Sequence, residues 1–200
     1  MNDFKQKTIS KIHQEHRSIS AILSGLRDLA RTAQDSAVKP DFLVLHAMVH
    51  YVDAYPEKLH HPKEEELLFK PLLVRAPYTS LLVGELRSQH ARGERLIREL
   101  QRAVTAFEVN WPAGAFEFAS AVDEYSDFHW AHMRKEEKEL LPLCERYLTE
   151  ADWREAAKGF EANDDALADL KERDFSQLFT RIVNLAPVPV GLAAPWSKGA

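Results

Sequence analysis

His60-His61-Pro62-Lys63-Glu64-Glu65-Glu66-Leu67-Leu68-Phe69 is answered later in the chain by His132-Met133-Arg134-Lys135-Glu136-Glu137-Lys138-Glu139-Leu140-Leu141. Both stretches read His-x-x-Lys-Glu-Glu-x-x-Leu followed by a large apolar residue. Residues four apart on an α-helix lie about 40° apart around the axis and about 6 Å apart along it. His60 and Glu64 therefore share a face, and so do His132 and Glu136. An imidazole and a carboxylate stacked in this way form half of a site for a first-row metal. Two such halves on two helices predict a pair of metals.

The flanks repeat as well. Ile12-His13-Gln14-Glu15-His16 opens one unit and Leu86-Arg87-Ser88-Gln89-His90 opens the other. The chain thus holds two copies of one pattern, a His on a first helix and His-x-x-x-Glu on a second. Each copy reads as a helical hairpin, and two hairpins make an all-α, up-down-up-down four-helix bundle.

Hydrophobic periodicity places the helices. Ile9, Ile12, His16, Ile19, Leu23, Leu26 and Ala30 step by three and four and predict a helix over 8–33. A second helix is expected over 41–73, with a bend favoured by Pro56 and Pro62 just before the motif. Leu86, His90, Gly93, Ile97, Leu100, Val104 and Phe107 carry a third over 79–107, where the small Gly93 leaves space close to His90. Val122, Tyr125, His129, His132, Glu136, Leu140, Leu143 and Tyr147 share one face of a fourth over 115–147. Polar side chains in such a seam are costly unless something pairs with them. The bundle is expected over 8–147, with residues 148–200 as an appendage packed on it. Within that appendage, Thr149-Glu150-Ala151-Asp152 predicts a helix start for 150–161. Asp174 caps a further short helix, and Ala186 to Gly191 reads as extended.

Composition narrows the function classes. Of 200 residues, 45% are hydrophobic and the formal charge is −5 without a basic cluster, which gives no reason to expect nucleic acid as a partner. No run approaches the ~20 apolar residues of a membrane span. The N-terminus lacks a secretory apolar segment. The single Cys144 has no internal partner for a disulfide and fits a reducing, cytoplasmic setting. Glu57-Lys58-Leu59-His60 matches the Glu-x-x-His of ferritin-like di-metal bundles, but the second half has no counterpart.

The inward set is therefore His16, His60, Glu64, His90, His132 and Glu136. Imidazole with carboxylate suits iron, manganese or zinc, and the lack of thiolates argues against iron–sulfur clusters. His16 with His60 would serve one metal and His90 with His132 the other, with two carboxylates placed to bridge. His13, His46 and His50 read as hydrogen-bonded or exposed instead.

These residues resemble the hemerythrin-like, HHE cation-binding family: a His on the first helix, His-x-x-x-Glu on the second, a His on the third, His-x-x-x-Glu on the fourth. The resemblance covers residues 8–147 and is closest to the bacterial four-His, two-Glu type that handles nitric oxide stress and repairs iron–sulfur centres. It implies a non-haem, oxo- or hydroxo-bridged pair of iron ions, with Glu64 and Glu136 bridging and the four histidines terminal. It also implies dioxygen, nitric oxide or iron itself as the ligand, and a redox partner protein. Where oxygen carriers hold a fifth histidine, one turn after the third-helix His, this chain has Glu94, either a seventh ligand or an exposed side chain. His129 is either a partner behind the ligands or an alternative ligand, and His61 is the alternative to His60. Three functions stand as rivals: a small-ligand binding or sensing protein, a di-iron enzyme reducing peroxide or nitric oxide, and a metal-stabilised scaffold.

Overall fold

Thirty-three residues of apolar periodicity form α1, Asp3–Asp35, which buries Ile12, Ile19, Leu23, Leu26 and Ala30 on one face. The computed structural model describes residues 3–35 and 38–161. After the turn, the Asp41 carboxylate accepts hydrogen bonds from the backbone N–H of Leu43 and Val44 at 2.9 and 3.4 Å and starts α2, Phe42–Val52. This is an ordinary N-cap, satisfying donors that have no partner inside the helix.

The second arm continues without leaving helical geometry, but its turns widen twice. A π-helical stretch covers Asp53–His60, α3 covers His61–Glu64, a second π-helical stretch covers Glu65–Phe69, and α4 covers Lys70–Arg75. The sequence favoured a bend at Pro56 and Pro62; the structure accommodates the proline by a wider turn. Pro56 lies inside the first π stretch. A proline lacks the N–H of an i to i−4 bond and crowds that carbonyl, and a wider turn relieves both problems.

A single 3₁₀ turn, Pro77–Thr79, leads to α5, Ser80–Val109. Gly114, at φ +89°, opens α6, Ala115–Lys135. Side chains disfavour that left-handed backbone, and a Cβ there would also sit 3.2 Å from the Phe107 Cα. A third π stretch, Glu136–Leu140, and α7, Leu141–Tyr147, complete the fourth arm. No strand occurs among the described residues.

Side-chain pairs fix the directions of the arms. Arg27 on α1 meets Asp123 and Asp127, while His16 meets Glu137, so α1 and the fourth arm run antiparallel. Lys135 meets Glu85 and Arg92 meets Glu124, so α5 and α6 also run antiparallel. His46 meets Glu108 and Glu65 meets His90, giving the same relation between the second arm and α5. The four arms alternate in direction around one interior.

That interior has three layers. Leu23, Leu26, Met48, Leu100, Phe107 and Phe118 belong to one apolar cluster. Ile12, Phe69, Leu86, Leu140, Trp153 and Phe160 belong to another. Between them lies a buried layer of histidines and carboxylates. Helix α8, Glu150–Glu161, packs across α1 and closes the second cluster with Trp153 and Phe160. The helix predicted after Asp174 and the extended Ala186 to Gly191 lie outside the described residues.

Candidate metal centre

Seven side chains from all four arms meet in the middle layer. His16, His60, Glu64 and Glu136 form one group, and His61, Glu64, His90 and His132 another, with the donor atoms of each group within 4.8 Å of one another. All seven are buried. The six residues singled out by the repeat are thus brought together. His61, an alternative to His60 on sequence grounds, stands beside it and faces the other group. Neighbouring residues on a helix point about 100° apart, so adjacent histidines can reach two different positions.

The carboxylates lie between the histidine pairs. The Glu64 Oε1 is 3.3 Å from His60 Nε2 and 4.0 Å from His16 Nε2, while its Oε2 is 3.8 Å from His90 Nε2. The Glu136 Oε2 is 3.5 Å from His16 Nε2, and its Oε1 is 3.3 Å from His132 Nε2 and 3.8 Å from His90 Nε2. Each carboxylate therefore turns one oxygen toward each pair.

The outer edges of the imidazoles explain the rest of the repeat. Nδ1 of His16 donates to Glu137 at 2.9 Å, and Nδ1 of His90 donates to Glu65 at 2.8 Å. Nδ1 of His60 donates to Glu15 at 2.6 Å, and Nδ1 of His132 donates to the Gln89 Oε1 at 2.8 Å. The Gln89 amide is oriented by its own N–H, which donates to Glu85 at 3.1 Å. The two halves follow one rule. The first Glu of each Lys-Glu-Glu points inward, and the second holds the histidine of a neighbouring arm, Glu65 that of α5 and Glu137 that of α1. The residue before each first-helix His holds the histidine of the following arm. Sequence reading gave Glu65, Glu137, Glu15 and Gln89 no role at the centre. Their signal was their identical place in the two units.

This arrangement fixes the tautomers. A carboxylate or an amide oxygen only accepts, so each held Nδ1 carries a proton and each Nε2 is turned inward, free to present a lone pair. His16 Nε2 and His60 Nε2 face each other at 3.1 Å. Two lone pairs at that distance repel unless a cation or an extra proton lies between them. Both oxygens of Glu64, both of Glu136, and Nε2 of His90 and His132 are buried with no hydrogen-bond partner. Buried polar groups are normally satisfied, so this donor set fits a cation, and a mixed nitrogen and oxygen set suits iron, manganese or zinc.

Considered as side chains alone, the centre divides its charge unevenly. Burial opposes the charged form of His60, yet Glu64 and Glu15 push its pKa well above the ordinary value. Burial likewise opposes a charged His90, and Glu136, Glu64 and Glu65 outweigh it. Burial holds His61 down at about 3 and His132 well below its ordinary value. Burial would raise Glu64, but the charges of His60, His16 and His90 hold it below the usual carboxylate range.

A further layer lies behind His61. The Glu57 Oε2 approaches His61 Nδ1 at 3.2 Å, and its Oε1 accepts from His129 Nε2 at 3.0 Å and from the Tyr125 hydroxyl at 3.2 Å. His129 is therefore a partner behind a ligand candidate. The space that Gly93 leaves is filled by Glu57, whose Oε1 would lie 2.7 Å from a Cβ there. Sequence reading set Glu57 aside with the ferritin-like template. Its spacing of four from His61 was the usable signal.

The remaining candidates lie elsewhere. Glu94 is exposed and pairs with Arg98 at 3.9 Å, because one turn beyond His90 the α5 surface has rotated outward. It is not brought to the centre. His46 pairs with Glu108 near the surface, His50 is exposed, and His13 shares Glu137 with His16. Two surface grooves reach the layer from outside. One, of about 560 Å³, lies between α1 and α6 and includes His16, Trp130 and Met133. The other, of about 650 Å³, lies between α5 and α6 and includes Gln89, Phe128 and His132.

The model of the family described as the hemerythrin HHE cation-binding domain matches residues 7–144. No curated protein matches the chain.

Proposed function

This chain belongs to the hemerythrin HHE cation-binding domain family, and from that membership and its two donor groups we propose that it holds a pair of iron ions and binds or senses dioxygen or nitric oxide. The observation that carries the reading is the pose of Glu64 and Glu136. Each is buried, free of hydrogen bonds, and has one oxygen toward each histidine pair. His16 and His60 would hold one ion, His90 and His132 the other, and His61 joins the second set. A bound iron pair supplies Lewis acidity, one-electron chemistry and a coordination position for a small ligand. The chain's own part is to keep five imidazoles aimed inward, and to exclude bulk water with the two apolar layers. No helix among the described residues is long and apolar enough to cross a membrane, and the buried free Cys144 suits the cytoplasm.

Iron analysis of freshly purified protein, with absorption spectra before and after reduction and exposure to air, tests this. The expected result is about two irons per chain, with near-ultraviolet bands that bleach on reduction. No iron, and no uptake of ferrous iron supplied anaerobically, would overturn it. Turnover with a reductant and peroxide or nitric oxide, in place of a single stoichiometric spectral change, would transfer the chain to the enzyme reading.

A further inference from the structure

The two units superimpose in sequence with an offset of 72 residues in the second and fourth arms, which carries His60 onto His132 and Glu64 onto Glu136. The same offset carries Glu57 onto His129 and His61 onto Met133. The inner layer is therefore symmetric in its paired donors and asymmetric at these two places. The asymmetric residues are in contact: Glu57 accepts from His129, its own counterpart, at 3.0 Å.

Three independent features hold Glu57 in place. It is buried, although it is a carboxylate four residues from one turn of ligands. His129 and the Tyr125 hydroxyl both donate to its Oε1, and Tyr125 is itself fully enclosed. Gly93 is the only kind of residue that leaves the Oε1 its room, since a Cβ would come within 2.7 Å. What remains is Oε2, which has no hydrogen-bond partner and lies 3.2 Å from the equally unpartnered Nδ1 of His61. The four other histidines of the centre are held from behind by single side chains on or near the surface of the bundle or by Glu15. His61 faces a buried carboxylate that is itself seated by Tyr125, His129 and the space at Gly93. Its ring also stacks on His90 at 4.0 Å with an interplanar angle of 9°, so a small rotation of His61 would disturb a second donor.

We infer that Glu57, seated by Gly93, Tyr125 and His129, is a positioning residue that fixes His61 as a fifth histidine donor to the His90/His132 metal position. The inference rests on the iron-pair reading. Nδ1–H of His61 directed at Glu57 leaves the other nitrogen free toward the metal, the usual logic of a carboxylate behind a ligating imidazole. The other metal position has no equivalent, because Met133 occupies the matching place. The two positions are then unequal by construction.

The test uses the full chain, loaded anaerobically with ferrous iron alone, in four forms: wild type, Glu57→Gln, His61→Met and the double variant. Glu57→Gln is isosteric and can keep its carbonyl toward His129 and Tyr125, but it turns an amide N–H₂ toward the His61 Nδ1–H. The expected result is weaker binding of one of the two irons by about 10- to 100-fold, with a shift of the near-ultraviolet bands that develop when the loaded protein is then exposed to air. His61→Met, which copies the other unit, gives the same spectrum, and adding Glu57→Gln to it changes nothing further. Gly93→Ala, which alters no polar group, moves the spectrum in the same direction as Glu57→Gln. Two tightly bound irons with an unchanged spectrum in Glu57→Gln would overturn the inference and leave the iron-pair reading standing. A Glu57→Gln effect of equal size in the His61→Met background would do the same. Wild-type protein that takes up no iron would overturn both.

Discussion

Glu136 and His16 stand 3.5 Å apart, yet their removal should have unequal consequences. Glu136 faces His16 with one oxygen and His90 and His132 with the other, so Glu136→Ala removes a donor from both groups. His16→Ala removes a donor from one. Loading each variant with ferrous iron and measuring bound metal after gel filtration should give well under one iron for Glu136→Ala and roughly one for His16→Ala. Two retained irons in both variants would contradict the shared role of Glu136. The residues concerned were readable from sequence because a carboxylate or imidazole in an apolar stripe breaks a strict period, and here the break occurred twice at the same register. Glu57 and His61 were harder to read. They lie on the Glu64 side of the second arm, but the second unit does not repeat them, and their inward course depends on α5 and α6 closing over that side. Glu94 shows the converse. Its spacing from His90 suited a ligand, but the surface side of α5 decides its exposure, and no single-helix pattern encodes where the neighbours stop.

At the scale of elements, helix starts and apolar faces were legible and helix pitch was not. The boundaries of α5 and α8 fall within a few residues of those expected, because Pro77 and Thr149 are local signals. The three π-helical stretches were not foreseen. Proline announces a disturbance, but whether the chain bends or widens depends on packing along the whole arm. Helix α8 offers a sharp prediction. The Thr149 hydroxyl and backbone N–H donate to the Asp152 Oδ2 at 2.7 and 2.8 Å, and Arg75 at the end of the second arm meets the same carboxylate at 3.1 and 3.3 Å. Burial would raise the Asp152 pKa, but Arg75 and Thr149 hold it below the ordinary carboxyl value. A carboxyl lowered by folding stabilises fully above its unfolded pKa and loses that effect as pH falls through the lower, folded value. Asp152→Ala should therefore cost about 1 kcal/mol at neutral pH. The gap between variant and wild type in thermal melts should close in acid, below about pH 4. A gap independent of pH would assign the loss to packing instead of charge.

For the whole molecule, the middle layer determines how the two apolar clusters cooperate. One cluster is built from the C-terminal halves of α1 and α5 with α2 and α6, and the other from the N-terminal halves of α1 and α5 with α4, α7 and α8. Between them, Glu64 and Glu136 are fully buried with unpartnered oxygens. A buried charge left uncompensated typically costs about 3–5 kcal/mol, and a cation that binds only the folded chain stabilises it by mass action. The bundle should therefore depend on its metal for more than its chemistry. Chelation should lower the thermal midpoint of the iron-loaded protein, and readdition of ferrous iron should restore it. The loss should also be local in origin. Phe107 is buried in the first cluster against Phe42 and Phe118, with ring centroids 5.1 and 5.4 Å away, and Phe107→Ala should cost about 3–5 kcal/mol with metal bound. If the layer couples the clusters, that substitution in chelated protein should separate the melt into two transitions, with hydrogen exchange rising first along α2 and the C-terminal half of α5. A single sharp transition at a simply additive midpoint would mean that the apolar layers hold the four arms together without the centre.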